Sequence, residues 1–150
     1  ALARGTISET KIHKLETKVK GRTLTALNEF SLHHVKPYHA IRFTVQINDE
    51  ETLKEAIGDG LIVATPFGSH AYYRSITSST FRTGIGIAFN NTTEPIDHMV
   101  VRESDVLNIV VKRGPAYFIQ DNNPQTLEVN EGDTVTFVEL NGSVEILDKR

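Results

Sequence analysis

The chain has 150 residues, of which 39% are hydrophobic and 23% charged, with a formal net charge of −3 and no cysteine. This composition is typical of a folded protein and excludes a disordered chain, a disulfide scaffold and a thiol nucleophile. The slight negative charge argues against binding to nucleic acid, and no apolar run approaches the roughly 18 residues that a membrane span requires. We predict a single domain over residues 1–150, cytoplasmic, with neither nucleic acid nor membrane as a partner.

The first elements predicted along the chain are strands. Residues 24–32 are expected to form one strand whose apolar face carries a lone amide, Asn28, while Glu29 lies on the other face as an ordinary surface carboxylate. A buried amide destabilises a fold unless it is hydrogen-bonded, so Asn28 either bonds a neighbouring loop or meets a ligand. Alternation of apolar and polar residues over 41–47 predicts a half-buried strand, whereas residues 51–56 allow a helix.

The segment from Gly58 to Tyr72 is the most informative part of the chain. It reads as a tight Gly-Asp-Gly turn, a short buried strand, a Thr65-Pro66 elbow and the start of a helix after Gly68. An elbow that opens a helix presents free backbone N–H groups, which suit a nucleotide or another anion. A strand-to-helix turn without a ligand explains the same pattern.

The last third of the sequence predicts an antiparallel meander. Residues 106–111 are apolar on both faces and indicate an inner strand, and a turn at 113–115 leads into a strand at 116–120. Turn signals follow at 130–133 and at 141–142, where Asn-Gly is typical of a hairpin. The fold class expected is therefore mainly β, with two packed sheets resembling a β-sandwich and one short helix after the Thr65-Pro66 elbow.

The six histidines do not have the spacing of metal ligands. His33 and His34 are adjacent on a strand and should point to opposite faces, and the others are isolated in sequence. We therefore expect no metal-ligand cluster and no structural metal. Ser69 does not lie in a Gly-x-Ser-x-Gly elbow, which excludes the common serine-hydrolase arrangement.

Three short segments resemble motifs of the NAD kinase family, namely ALNE at 26–29, GDGLIVATP at 58–66 and GSHAY at 68–72. The resemblance covers the family's C-terminal, largely β, NAD-binding domain, from about residue 22 to near the end of the chain. Members transfer a phosphoryl group from ATP or polyphosphate, with Mg²⁺, to the 2′-hydroxyl of NAD, giving NADP. The resemblance also implies a homo-oligomer whose NAD site is shared between subunits.

Carried over by position, the resemblance implies NAD-binding roles for nine residues. Asn28 and Glu29 match the family's Asn-Glu pair, and Asp59 matches an aspartate that contacts NAD from a neighbouring subunit. The complete set is Asn28, Glu29, His39, Asp59, His70, Ala71, Tyr72, Ser75 and Asn123. The chain departs from the family at Phe67, where Thr or Ser is usual, at His70, where Thr is usual, and over 73–79.

The family's Gly-Gly-Asp-Gly-Thr motif, whose Asp acts as a base and which helps hold the phosphoryl donor, does not occur in these 150 residues. No catalytic residue is therefore assigned, and the chain by itself is expected to be inactive, since phosphoryl transfer depends on positioning and charge neutralisation. Two alternatives stay open. One is a non-catalytic module that binds NAD or NADP; the other is the C-terminal domain of a lipid or sugar kinase, against which the Asn28-Glu29 pair argues.

Overall fold

A computed structural model describes residues 7–36, 38–93, 97–121, 123 and 125–147. The ends of the predicted domain, residues 1–6 and 148–150, lie outside this range. The elements in chain order are β1 (Ile7–Val19), β2 (Arg22–Ala26), β3 (Glu29–His34), β4 (Ile41–Ile47), β5 (Glu50–Gly58), β6 (Gly60–Ala64), a 3-10 turn (Gly68–His70), α1 (Tyr72–Thr77), β7 (Ile85–Asn90), β8 (His98–Val101), β9 (Leu107–Arg113), β10 (Ala116–Gln120), β11 (Thr126–Val129) and β12 (Thr134–Leu147).

The strands form two six-stranded antiparallel sheets. Sheet A has the order β2-β1-β12-β9-β4-β5, and sheet B has the order β11-β10-β3-β6-β7-β8. Each sheet turns alternate apolar residues inward, and the rings of Phe30 in sheet B and Phe137 in sheet A are 5.8 Å apart. The predicted fold class, mainly β with two packed sheets and a short helix after the elbow, is confirmed.

Several predicted elements are found where the local pattern placed them. The strands at 41–47 and 116–120 match β4 and β10, and α1 follows the elbow after Gly68. The strand predicted at 106–111 is β9, which lies inside sheet A but buries only one of its faces, through Leu107, Ile109 and Val111. Neither helical segment of the described ranges is long and apolar enough to cross a membrane.

Residues 51–56 form part of strand β5, so the helix allowed there is wrong. The buried residues Leu53 and Ala56 are three apart, which imitates the spacing of a helix. They pair with Val45 and Phe43, which are only two apart, so one extra residue of β5 bulges out between the two pairs. The β-bulge therefore explains the misleading pattern.

Two further expectations from turn signals are also wrong. Asn141-Gly142 lies inside β12 and pairs with residues 13 and 12 of β1, so no hairpin forms there. The last third is not a meander, because β9 and β12 belong to sheet A whereas β10 and β11 belong to sheet B. An Asn-Gly pair is a strong hairpin signal only where the flanking segments pair with each other.

The chain passes from sheet A to sheet B at two segments that contain predicted NAD-binding residues. Residues 24–32 are not one strand, because β2 ends at Ala26 in sheet A and β3 begins at Glu29 in sheet B. Likewise β5 ends at Gly58 in sheet A and β6 begins at Gly60 in sheet B. A Cβ atom at Gly60 would lie 1.8 Å from the carbonyl oxygen of Leu32, so this close crossing requires glycine.

Candidate functional site

Thr65 joins the beginning of β3 to the end of β6. Its N–H donates to the carbonyl of Asn28 at 2.9 Å, and its hydroxyl donates to the carbonyl of Leu27. The same hydroxyl accepts a hydrogen bond from the N–H of Gly68 at 3.0 Å. Residues 27–29 and 65–75 therefore form one hydrogen-bonded unit, which we call the elbow site.

Asp121, just after β10, fixes the main chain of the elbow site from the other side. Its carboxylate accepts hydrogen bonds from the N–H groups of Leu27 at 3.3 Å, Asn28 at 2.9 Å and Glu29 at 2.9 Å. In return its own N–H donates to the carbonyl of Glu29 at 2.8 Å. Sequence reasoning missed Asp121, because only the pairing of β10 with β3 brings it close to the Asn28 segment.

Asn28 differs from the buried strand amide that the sequence predicted. It is half-buried and lies in the bend between β2 and β3. Within the described ranges, the hydrogen bonds that hold Asn28 are made by its main chain, to Asp121 and Thr65. Its backbone is thus fixed while the side-chain amide keeps its donor and acceptor for another molecule.

Glu29 is buried, so the prediction of an ordinary surface carboxylate is wrong. It begins β3, which lies between β10 and β6 inside sheet B, and it is only 8% exposed. Its Oε2 has no hydrogen-bond partner among the described residues. Burial, and to a lesser degree the charge of Asp121, raise the pKa of Glu29 above its ordinary value of 4.5.

The free N–H groups expected at the elbow are mostly occupied. Gly68 and Ser69 donate to Thr65, His70 donates to the carbonyl of Phe67, and Ala71 donates to that of Gly68. The helix that follows has only six residues. The expectation of free N–H groups is therefore wrong for these four residues.

The exposed face of the elbow site carries four predicted NAD-binding residues, which are His70, Ala71, Tyr72 and Ser75. Phe67 and Tyr72 are large aromatic side chains that are 72% and 50% exposed. Aromatic rings held at a surface suit stacking against the base of a nucleotide. The structure thus brings these four residues together beside Asn28 and Glu29.

Tyr73 anchors α1 to the outer face of sheet B. Its ring is fully buried, with its centroid 5.1 Å from that of Phe81 and 6.1 Å from that of His98. Burial, with a smaller contribution from Asp97, raises the pKa of Tyr73 to about 12. The side chain is therefore a neutral anchor, and the neighbouring Tyr72 turns outward.

Asp59 and His39 lie toward the opposite end of β3. Glu29 pairs with Ala64 and His33 pairs with Gly60, so the two ends are about 13 Å apart at the usual rise of a strand. Asp59 contacts Nε2 of His34 at 3.3 Å, and His39 is exposed in the loop after β3. The structure therefore does not bring these two residues into the elbow site.

A shallow groove on the outer face of sheet B lies between the two groups. It has a volume of about 250 Å³ and is lined in part by Ser31, Ile62, Tyr72 and Asn90. Tyr72 belongs to the elbow site, whereas Asn90 pairs with Gly60 next to Asp59. The groove thus connects the elbow site with the Asp59 end of the same face.

Asn123 is also separate from the elbow site. Its Oδ1 accepts a hydrogen bond from the N–H of Gln125 at 2.9 Å. It lines a small cavity of about 100 Å³ together with Arg22 and Gln120. Among the described residues of this region, Asp121 is the one whose side chain bonds the elbow site.

The histidines are arranged differently from the prediction. The rings of His33 and His34 do not point apart: their centroids are 4.1 Å apart, in an edge-to-face arrangement at the end of β3. His13 lies with Glu103 and Glu139 in a group whose ligand atoms are all within 4.8 Å of one another. These three residues together could hold an ion, and the expectation of no structural metal stays a prediction. Sequence spacing missed this group because β1 and β12 are neighbours only in the fold.

Residues 27–148 match the family described as the ATP-NAD kinase C-terminal domain, and the chain belongs to this family. The NAD kinase of Yersinia pestis is 45% identical to it over 60 residues, which cover 40% of this chain and 20% of that protein. The mitochondrial NADH kinase of Schizosaccharomyces pombe is 40% identical over 58 residues, covering 39% of this chain and 15% of that protein.

Two solved structures share the fold. Yeast NADH kinase complexed with NADH matches with a TM-score of 0.80 and 19% identity, over 96% of this chain and 45% of that one. An NAD kinase from Archaeoglobus fulgidus in complex with ATP matches with a TM-score of 0.75 and 16% identity, over 94% and 55%. The chain thus spans about half the length of these two solved chains.

Proposed function

We propose that this chain is the NAD-binding domain of an NAD kinase, which transfers a phosphoryl group from ATP or polyphosphate to the 2′-hydroxyl of NAD. Its family membership supports this proposal, as do the ligands of the two solved relatives, NADH and ATP. The observation that carries it is the elbow site, where Asn28 has a fixed main chain and a side-chain amide that makes no hydrogen bond to another described residue. A cytoplasmic location stays a prediction from the cysteine-free composition.

In this proposal the elbow site holds NAD mainly through side chains. The amide of Asn28 both donates to and accepts from the sugar or base, and Tyr72 offers a ring face. Glu29, whose pKa is raised by burial, adds a carboxyl group on the buried side of the same unit. His70 and Ser75 add polar groups on the exposed side of the same unit.

Asp59 and His39 serve a second subunit in the proposed enzyme. Asp59 lies beside the end of β3 that is about 13 Å along the sheet from Glu29, and His39 lies in the loop that follows this end. In a symmetric homo-oligomer, the Asp59 end of one subunit can lie against the elbow site of its neighbour. In a site shared in this way, Asp59 and His39 of one subunit and the elbow site of its neighbour would both contact the same NAD molecule.

The Mg²⁺ that accompanies the phosphoryl donor does not fit the carboxylates of the elbow site. Oδ1 of Asp121 already accepts two backbone N–H groups, and burial disfavours the ionised form of Glu29. Magnesium prefers ionised, accessible carboxylate oxygens and retains several waters. We therefore assign neither carboxylate to the metal and derive no step from it.

Calorimetric titration of the chain with NAD tests the proposal. Saturable binding is expected, and Asn28→Ala should weaken it about tenfold or more, equivalent to about 1.4 kcal/mol, with little change in melting temperature. Asn108→Ala is the matched control, because Asn108 lies in sheet A and bonds Thr136. Equal affinity in both variants, or a large loss of stability in Asn28→Ala with intact binding, would make Asn28 a structural amide only.

A further inference from the structure

Two charged residues interrupt the apolar inner face of sheet A. Along β1 the inward row contains Leu15 and Val19, and along β12 it contains Val135 and Phe137, all four of them buried. His13 and Glu139 continue these two rows by the alternation of a strand. A carboxylate and an imidazole thus stand where the core pattern calls for apolar side chains.

Glu139 is buried without the hydrogen bonds that a carboxylate needs. Its side chain is only 2% exposed, and it lies in contact with Nδ1 of His13. His13 is thus the ion-pair partner of Glu139, but neither carboxylate oxygen of Glu139 makes a hydrogen bond of regular geometry within the described ranges. A buried charge is strongly unfavourable unless it is paired and hydrogen-bonded or coordinates a metal.

A second carboxylate approaches the same point from the other sheet. Glu103 is exposed and lies in the crossing between β8 of sheet B and β9 of sheet A. One ligand atom from each of Glu103, Glu139 and His13 lies within 4.8 Å of the others. Two carboxylates this close repel each other, and either a bound proton or a bound cation relieves the repulsion.

We propose that His13, Glu103 and Glu139 bind a divalent transition-metal ion, with Zn²⁺ as the best fit, at a site separate from the elbow site. One imidazole nitrogen and two carboxylate oxygens are ordinary Zn²⁺ ligands, and the exposed side of Glu103 leaves room for water as a fourth ligand. Mg²⁺ fits less well, because it prefers an octahedral shell of oxygens. The ion would link β1 and β12 to the segment that connects β8 with β9.

The site is tested on the 150-residue chain after dialysis against a chelator. Calorimetry with ZnCl₂ is expected to show one equivalent of Zn²⁺ bound, and the melting temperature should rise as Zn²⁺ is added. An excess of Mg²⁺ should not displace the ion. Absence of saturable Zn²⁺ binding at one equivalent would overturn the proposal.

Variants separate this site from adventitious binding to other histidines. Glu139→Gln should weaken Zn²⁺ binding about 100-fold or more, since loss of even an outer-shell partner costs about 10- to 100-fold. If this buried substitution prevents folding, Glu103→Gln at the exposed ligand should still weaken binding about tenfold or more. His98→Gln is the control, because His98 pairs with Asp97 and does not belong to this group of three residues.

Failure of this proposal is distinguishable from failure of the NAD proposal. Glu103→Gln should bind NAD like the unchanged chain, since Glu103 lies outside the elbow site. Equal Zn²⁺ affinity in Glu103→Gln, Glu139→Gln and His98→Gln would reject the metal site whatever the NAD titration shows.

Discussion

Glu29 combines an unfavourable environment with a role proposed for binding. It is 8% exposed, and its pKa is raised by burial first and by Asp121 second. The unfolded chain titrates this group near 4.5, so between that value and the higher folded pKa the folded state binds more protons. Stability contributed by protonated Glu29 is therefore lost as the pH rises through this window.

Glu29→Gln should accordingly stabilise the chain at neutral pH, because the amide avoids burying a charge. The gain in unfolding free energy should shrink below about pH 4.5, where the carboxyl is protonated in both states. Urea denaturation of both proteins at about pH 4 and about pH 7 measures the difference. The same variant should bind NAD more weakly by calorimetry, and an equal gain in stability at both pH values would contradict the explanation.

Among individual residues, the sequence identified Asn28 and Glu29 as important but misjudged their surroundings. The assignment of the side chains of residues 24–32 to two faces assumed one uninterrupted strand. The chain instead passes from sheet A to sheet B at residues 27–28. Asp121 could not be found, because its contacts depend on the pairing of β10 with β3, which no local pattern specifies. Alternation of apolar and polar residues indicates which side chains are exposed, but it does not indicate which strands pair with each other.

At the scale of elements, the elbow between β6 and α1 depends on close contact with the main chain of Asn28. A Cβ atom added at Gly68 would lie 2.0 Å from the carbonyl oxygen of Asn28, 2.5 Å from its carbon and 2.7 Å from its Cα. Backbone atoms cannot move aside as a flexible side chain can. Gly68 therefore permits the approach that joins the two halves of the elbow site.

Gly68→Ala should destabilise the chain by about 1–3 kcal/mol, the usual effect of overpacking, and should also weaken NAD binding. Gly21→Ala is the matched control, since a Cβ there meets nothing within 4 Å and only the left-handed backbone, φ +73°, is disfavoured. That control should cost about 1 kcal/mol and leave the NAD affinity unchanged. Denaturation measures the stability of both variants, and calorimetry measures their NAD affinity. Equal effects of the two substitutions on NAD affinity would show that the contact of Gly68 with Asn28 has no role in NAD binding.

The sequence predicted those elements that local interactions determine, and it mispredicted those that depend on distant parts of the chain. The strand at 41–47 and the helix after Gly68 follow from local alternation and a Pro/Gly elbow, and both are present. The bulge in β5 and the pairing of Asn141-Gly142 with β1 are set by distant partners, and both were mispredicted. The clustering of His13 with Glu139 was missed for the same reason.

For the whole molecule, the separation of Asp59 from the elbow site provides a test of the shared NAD site. Asp59→Ala and Asn28→Ala should each reduce NAD binding when assayed alone. Mixing the two variants under conditions that allow subunit exchange should restore part of the binding, since some mixed oligomers then contain one intact pair of halves. Calorimetry on the mixture measures the restored sites. Full loss in each variant without any recovery on mixing, despite exchange, would reject a site shared between subunits.

The position of β12 has a consequence for how the protein is made. β12 lies between β1 and β9 in sheet A, so the last strand of the described chain separates the first strand from the sheet's other half. While the chain emerges from the ribosome, β1 and β9 therefore present unpaired edges until residues 134–147 arrive. Such edges invite pairing with other nascent chains. Synthesis of residues 134–147, rather than formation of any local turn, is the event that closes sheet A.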